Sequence, residues 1–205
     1  MTYRELAFPG AWEFAPRLAG DARGLFLEYF RGAEFQETTG HRFNLAQANC
    51  SVSAAGVIRG IHFADVPPGQ AKYVTCAKGA VLDVAVDVRV GSPTFGHWDS
   101  VLLDDVDRRA IYLGEGLGHA FMSLENDSTV LYLCSTGYAP GREHGIHPLD
   151  SEIGIAWPTA ARDGSPLTPQ LSEKDLAAPS FANAAARGLL PQYDVVTNYV
   201  QSLRD

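Results

Sequence analysis

Four side chains able to bind anions or move protons fall close together: Arg59, His62, Gln70 and Lys72, in the stretch VIRGIHFADVPPGQAKYV, residues 57–74. The stretch reads as two apolar strand ends joined by a proline turn. Long cationic side chains on the buried face of a strand are costly unless something pairs them. A histidine that titrates near neutral pH and a fixed ammonium are the two groups needed to remove a proton beside a ketone. In a straight strand Arg59 and His62 have opposite parity and face opposite sides. A bulge at Gly60, where glycine permits the geometry, brings them to one side. The Pro67-Pro68-Gly69 turn returns the chain to Lys72, which is expected on the strand next to that of His62. For His62 taken alone, the plain alternative is an imidazole hydrogen-bonded in a core.

Other chemistries lack their residues. A histidine metal site of the kind strand proteins carry needs an HxH, a nearby Glu and a later His. His62 is followed by Phe63 and Ala64, and no second His or Glu comes before Gly79. His119 alone would complete only a pair, and His144 and His147 are expected in a solvated loop. No metal or other cofactor is therefore expected. Neither GxxxxGK[ST] nor a strand-coupled GxGxxG is present, so any phosphate must be held by side chains, a task that suits arginine and lysine. No GxSxG elbow occurs. Cys50, Cys76 and Cys134 have no CxxC spacing, sit in apolar strand-like runs, and are expected as buried reduced thiols.

The positioning elements follow from periodicity. LAQANCSV alternates, with Ala46, Ala48, Cys50 and Val52 opposite Gln47, Asn49 and Ser51. AVLDVAVDV sets Leu82, Val84, Val86 and Val88 opposite Asp83, Ala85 and Asp87. KYVTCAKG, DSVLL, RAIYLG, HAFMSL and STVLYLCST add further strands, separated by PPGQ, VGSPTFG, LGEGLG and ENDS turns. In STVLYLCST, Tyr132 shares the parity of Val130 and Cys134. Many short strands predict a mainly β chain, a cupin-like jelly-roll β-barrel with a core from about 23 to 138. From about 139 to 205 a loop-rich and helical cover follows. SEKDLAAPSFANAAARGLL reads as helix, with Ser172 its N-cap and Gly188 its stop. One domain spanning 1–205 is the expectation.

Composition bounds the partners. The 205 residues carry 16 Lys and Arg against 24 Asp and Glu, a net charge of −8, which argues against a nucleic-acid or anionic-membrane binder. No run approaches the length of a membrane span, and the opening MTYRELAFPGAWEF has no basic region followed by an apolar stretch. A cytoplasmic protein is expected.

Taken together, RGIHF, then PPGQAKYVTCAKGAVLDVAVDVRVGSPTFGHW, with DARGLFLE and QANCSVS upstream and GEGLGHAF, LYLCSTGY, EHGIHPLD, GIAWP and LSEKD downstream, resemble the dTDP-4-dehydrorhamnose 3,5-epimerase family. The likeness runs from about Asp21 to Tyr193. The AQAN and RGIHF spellings and the ARGLLPQY tail are similar to epimerases of antibiotic deoxysugar pathways. Two departures are visible: His147 stands where a tryptophan is often found, and Gly137 replaces an aromatic. Both are expected where sugar and base pack.

The resemblance implies a metal-free homodimer acting on a dTDP-4-keto-6-deoxyhexose at C3, with or without C5. It implies that His62 is the base, paired with Asp175, and that Lys72 stabilises the enolate oxygen. Tyr132 would return a proton from the opposite face, and Arg59 and His119 would hold the pyrophosphate. Gln47, Asn49, Arg23, Glu28, Tyr138 and Glu143 would line the nucleotide and sugar site, with Arg23, Phe26 and Glu28 contributed by the partner subunit. A ketoisomerase on the same nucleotide sugars, or a barrel that binds them without catalysis, are the competing readings.

Overall fold

The computed structural model describes residues 1–204. In chain order it begins with β1 (Thr2–Glu5), β2 (Ala11–Ala15), a hairpin of β3 (Leu18–Asp21) and β4 (Gly24–Leu27), and α1 (Gly32–Thr39). The strands that carry the conspicuous side chains follow: β5 (Gln47–Ser53), β6 (Ile58–Ala64), β7 (Lys72–Lys78) and β8 (Ala80–Val86). Then come β9 (Trp98–Asp104), β10 (Ala110–Leu113), β11 (Gly118–Ser123), β12 (Ser128–Cys134) and β13 (Glu143–Gly145). Three helices close the chain: α2 (Glu173–Leu176), α3 (Phe181–Ala186) and α4 (Tyr193–Ser202).

The expected mainly β, jelly-roll arrangement is realised as two antiparallel sheets. One is six-stranded, in the order β1-β2-β10-β7-β12-β5, and the other five-stranded, in the order β13-β6-β11-β8-β9. β1 and β2 belong to the first sheet, so the sheet core begins before the expected residue 23. His62 and Lys72 are not on neighbouring strands as expected. β6 and β7 lie in different sheets, because the Pro67-Pro68-Gly69 turn carries the chain across from one sheet to the other. The two side chains therefore stand on opposite walls.

Between the sheets, Val74, Cys76, Val81, Ala85, Ile111, Leu113, Phe121 and Val130 form an apolar core. Each buried valine, leucine, isoleucine or phenylalanine among them contributes about 1.5–3 kcal/mol of transfer free energy. The outer face of the five-stranded sheet, with Ile61, Val84, Val86 and Ala120, packs under Ile153, Phe181, Ala184 and Leu190 of the C-terminal cover. Leu82, Val84 and Val86 thus point at the cover while Asp83 and Ala85 point between the sheets, the alternation read from AVLDVAVDV. The outer face of the six-stranded sheet, with Phe14, Ala71, Tyr73 and Tyr112, packs on Phe35 of α1.

Two features of the cover differ from the sequence expectation. The stretch after Ser172 makes two short helices, since Pro179 cannot continue α2 and Ser180 caps α3 anew, accepting from the Asn183 N–H at 3.2 Å. α4 then follows beyond Gly188, with Val196 its one buried side chain among the described residues. Among the described residues, no helix is long and apolar enough to cross a membrane.

Candidate active site

The local geometry of β6 resolves the parity problem posed by Arg59 and His62. Phe121 pairs with Arg59 and His119 with His62, so β6 spends three residues where β11 spends two, and the register shifts between them. Gly60 takes φ +121°, and a Cβ there would collide with the His119 carbonyl oxygen. Only glycine satisfies both the dihedral and the approach. The bulge turns Arg59 and His62 to the same face, between the sheets.

There they line a cavity of about 450 Å³ together with Lys72 of β7, His119 of β11, Tyr132 of β12 and the start of α2, Ser172, Lys174 and Asp175. A second lobe of about 490 Å³ adjoins it, sharing His62, Lys72 and Tyr132 and adding Gln47, Asn49, Gln70, Tyr138 and Glu143. Both sizes suit a small-molecule ligand. Gln47 and Asn49 point inward from β5 as read, and Ala48, Cys50 and Val52 face outward and are exposed. Cys50 is therefore not the buried thiol expected; Cys76 and Cys134 are buried.

The base candidate is held from one side. His62 Nε2–H donates to Asp175 Oδ1 at 2.7 Å, which leaves Nδ1 with the free lone pair. Asp175 Oδ2 accepts from the Ser172 hydroxyl at 2.8 Å. Burial opposes the Asp175 charge, but the His62 hydrogen bond and charge, the Ser172 hydroxyl and Lys174 outweigh it, and the carboxyl is held below the usual range. His62 is about a third exposed, at 34%, so it can exchange protons with solvent.

The opposite wall carries the complementary groups. Lys72 is half-buried and lines both lobes; burial moves its pKa below the ordinary lysine value, against the attraction of Cys134, Glu143 and Asp83. Burial likewise raises the Tyr132 hydroxyl above its usual pKa, so it keeps its proton at neutral pH and can donate it. The two walls together present a proton acceptor, a cation and a proton donor around one space.

Anion-binding groups flank that trio. Arg59 Nε–H donates to Ser53 Oγ at 3.1 Å, tying the guanidinium to β5 across the gap between sheets. His119 Nε2–H is shared between both oxygens of Asp83, each at 3.0 Å. Burial depresses the His119 pKa, against the pull of Asp83, and raises that of Asp83, against the pull of His119 and Lys72.

Other expected residues fall in several places. Tyr138 is exposed at the rim, where its N–H donates to Gln47 Oε1 at 2.9 Å. Glu143 stands on β13 and lines the second lobe, accepting from the Ala139 N–H at 3.3 Å. His144, also on β13, pairs with Asp65 at 2.7 Å rather than standing in the solvated loop expected. Gly137 lies beside the Gln47 side chain. His147 lines neither lobe, and its Nδ1 accepts from the Leu149 N–H at 3.2 Å. Arg23, Phe26 and Glu28 are not brought to these lobes; they sit on or beside the β3–β4 hairpin, where Phe26 is 69% exposed.

Sequence reasoning passed over Lys174, Ser172 and Asp83 as parts of the site. The signals were present: Lys174 adjoins Asp175 within LSEKD, and Asp83 is a carboxylate at the centre of a strand on the face away from Val84 and Val86. A separate cavity of about 220 Å³ under α4, lined by Trp12, His41, Tyr112, Glu115 and Val196 among others, shares no residue with the two lobes.

The sequence profile of the dTDP-4-dehydrorhamnose 3,5-epimerase family matches residues 5–183. The chain is 58% identical over 206 residues to a dTDP-4-dehydrorhamnose 3,5-epimerase of Mycolicibacterium smegmatis, covering 100% of this chain and 98% of that one. The rmlC epimerase of Mycobacterium tuberculosis superposes with a TM-score of 0.95 at 52% identity, over 100% of both chains. ChmJ, a 3'-monoepimerase of Streptomyces bikiniensis whose structure holds dTDP-quinovose, superposes at 0.92 with 50% identity, over 98% of each chain.

Proposed function

The chain belongs to the dTDP-4-dehydrorhamnose 3,5-epimerase family, and from that premise we propose that it epimerises a dTDP-4-keto-6-deoxyhexose at C3, with or without C5, in deoxysugar biosynthesis. The observation that carries the chemistry is the placement of His62 on one wall and of Lys72 and Tyr132 on the other. A ketone at C4 acidifies the neighbouring C–H bonds. His62 Nδ1 takes the C3 proton, and the electron pair moves onto the C4 oxygen, where the Lys72 ammonium stabilises the enolate. Tyr132 then gives its proton to C3 from the other face, which inverts the centre. The resulting imidazolium and tyrosinate return to their starting states by exchange with water. No cofactor is required, because the substrate's own carbonyl stores the charge.

Asp175 fixes the His62 tautomer through Nε2 and stabilises the imidazolium formed in the first step. Arg59 and His119 hold the diphosphate, and Lys174 at the mouth adds a positive group to that of Arg59. Gln47, Asn49, Tyr138 and Glu143 line the path of the nucleoside and sugar. Arg23, Phe26 and Glu28 serve the site of the other subunit in a homodimer, a role supported by the exposure of most of their hairpin on its own chain. The domain spans residues 1–205 and works in the cytoplasm.

The deciding experiment is incubation with dTDP-4-keto-6-deoxyglucose in deuterated water, read by NMR. Deuterium at C3 alone marks a 3-epimerase, and at both carbons a 3,5-epimerase. Migration of the carbonyl makes the chain a ketoisomerase, and no exchange at all leaves a binding barrel; either outcome overturns the proposal.

A further inference from the structure

We propose that Ser172 is a positioning residue for the base: its hydroxyl locks the Asp175 carboxylate in the orientation that aims His62. The inference rests on the epimerase reading above. It starts from an oddity of the short helix that Ser172 caps. In an ordinary S-x-x-E/Q capping box, the acidic or amide side chain three residues on turns back to the N-cap backbone N–H. Here Ser172 does accept from the Asp175 N–H at 3.1 Å, as an N-cap should. The Asp175 side chain, however, is committed elsewhere. Oδ2 accepts from the Ser172 hydroxyl at 2.8 Å and Oδ1 from His62 at 2.7 Å.

This gives one serine two jobs. The hydroxyl oxygen accepts from the backbone of Asp175 while its hydrogen is given to the side chain of the same residue. A carboxylate bonded at one oxygen can still swing about its last torsion. One bonded at both oxygens, by a helix-borne hydroxyl and an imidazole on the facing strand, has its plane set. Asp175 is 5% exposed, so water has little access to replace the serine. The direction of the carboxylate in turn fixes which His62 nitrogen carries hydrogen and where Nδ1 points. Proton abstraction is sensitive to that aim, since small misplacements of reacting atoms are expensive.

Substitutions separate this role from simple capping. Glycine serves almost as well as serine at an N-cap, whereas alanine does not. Threonine supplies both the cap and the hydroxyl. If Ser172 positions the base, Ser172→Gly and Ser172→Ala both lower kcat for C3 exchange by about tenfold, the scale of one lost hydrogen bond to a charged group, with KM little changed. Ser172→Thr restores the rate. ¹⁵N NMR of the His62 ring supplies a readout independent of turnover: the wild type shows the Nε2–H tautomer, and the glycine variant a mixture.

A glycine variant with wild-type rate and a single tautomer overturns the inference, leaving Ser172 as a cap only. A rate loss with the ring signature unchanged, or a loss expressed in KM, also overturns it, because the hydroxyl would then act on the substrate directly. Absence of exchange in the wild type would defeat the epimerase reading instead, and the tautomer comparison would still decide the role of Ser172.

Discussion

Two histidine–aspartate pairs face one cavity from a single strand ladder, for His62 and His119 are register partners on β6 and β11. Each imidazole uses Nε2 toward its carboxylate, at 2.7 Å in one case and 3.0 Å in the other. Their surroundings differ in every respect that matters for proton transfer. The His62 side chain is 34% exposed and the His119 side chain 10%. Asp175 arrives from a helix of the cover and shares its carboxylate with a serine; Asp83 stands on the adjacent strand β8 with no access to solvent. The first carboxyl is held below the usual range and the second raised above it by burial. The same two residue types therefore make two devices. Where the carboxylate stays charged and the ring meets solvent, the ring can cycle a proton. Where both partners are enclosed, burial opposes charge on each, and the ring of the free protein is a neutral polar contact.

The sharpest way to break that comparison is to remove one ring at a time. His62→Asn should cut C3 exchange by about 10²–10⁴-fold, the usual contribution of a general base, while the melting temperature stays close to wild type because the ring is partly exposed. His119→Asn should leave kcat within about tenfold and act mainly through KM, as expected of a binding contact. Steady-state kinetics on the two variants check both. If His119→Asn proves as damaging to kcat as His62→Asn, the division of labour is wrong.

Tyr132→Phe tests what stands opposite the solvent-exposed pair. His62 and Lys72 would still form the enolate, so deuterium should still enter C3. The deuteron would return from the His62 side, giving exchange with retained configuration. Net inversion should fall about 10²-fold or more, well beyond the fall in exchange. Equal losses in a variant with a lowered melting temperature would instead mark Tyr132 as a core tyrosine whose hydroxyl contributes about 1 kcal/mol of stability.

The two carboxylates offer a smaller contrast, this time in stability. Asp175, depressed in the fold, contributes stability that is present above the unfolded carboxylate pKa and lost as pH falls through its folded value. Asp83, raised in the fold, behaves oppositely: its charge disfavours the native state at neutral pH, and that cost is relieved as pH falls through the raised value. Denaturant melts between neutral and acid pH should show Asp175→Asn losing less stability on acidification than wild type, and Asp83→Asn losing more. Asp175→Asn should also slow exchange by about tenfold, less than removal of the base itself.

Much of this contrast was legible in the sequence, and the gaps have physical causes. The polar inner row of β5 and the Asp83 face of β8 follow from a period of two. The Gly60 bulge follows from the parity conflict between Arg59 and His62, which only an extra residue could relieve. The position of Lys72 did not follow, since a proline turn can close a hairpin or cross between sheets, and local sequence does not separate the two. α1 offers a single buried apolar side chain, Phe35, and α4 offers Val196, too few for a helical period to emerge. Lys174 reads as a solvated charge because only the fold brings it to the edge of the cavity. The pairing of His62 with Asp175 spans 113 residues and came from family resemblance; no local pattern encodes it.

The smallest expected effect sharpens the comparison most finely, because it concerns one proton. Burial, Lys72 and His62 all depress the His119 pKa below the ordinary imidazole value, and Asp83 only partly opposes them. At pH 7 the ring in the free enzyme is therefore neutral, with Nε2–H on Asp83 and a bare lone pair at Nδ1. A diphosphate brought against Nδ1 needs a donor there, and its charge favours the imidazolium. Binding of dTDP should then draw a proton from solvent. The uptake should be greatest between the free and the bound pKa of His119, vanishing at high pH where the ring stays neutral and at low pH where it is already charged. Calorimetric titration in two buffers of different ionisation enthalpy measures it, as a fraction of one proton. His119→Asn should abolish the uptake, and His62→Asn should preserve it, since His62 meets the sugar and not the diphosphate. If the uptake survives His119→Asn, another group takes the proton and the buried pair is no part of the anion site.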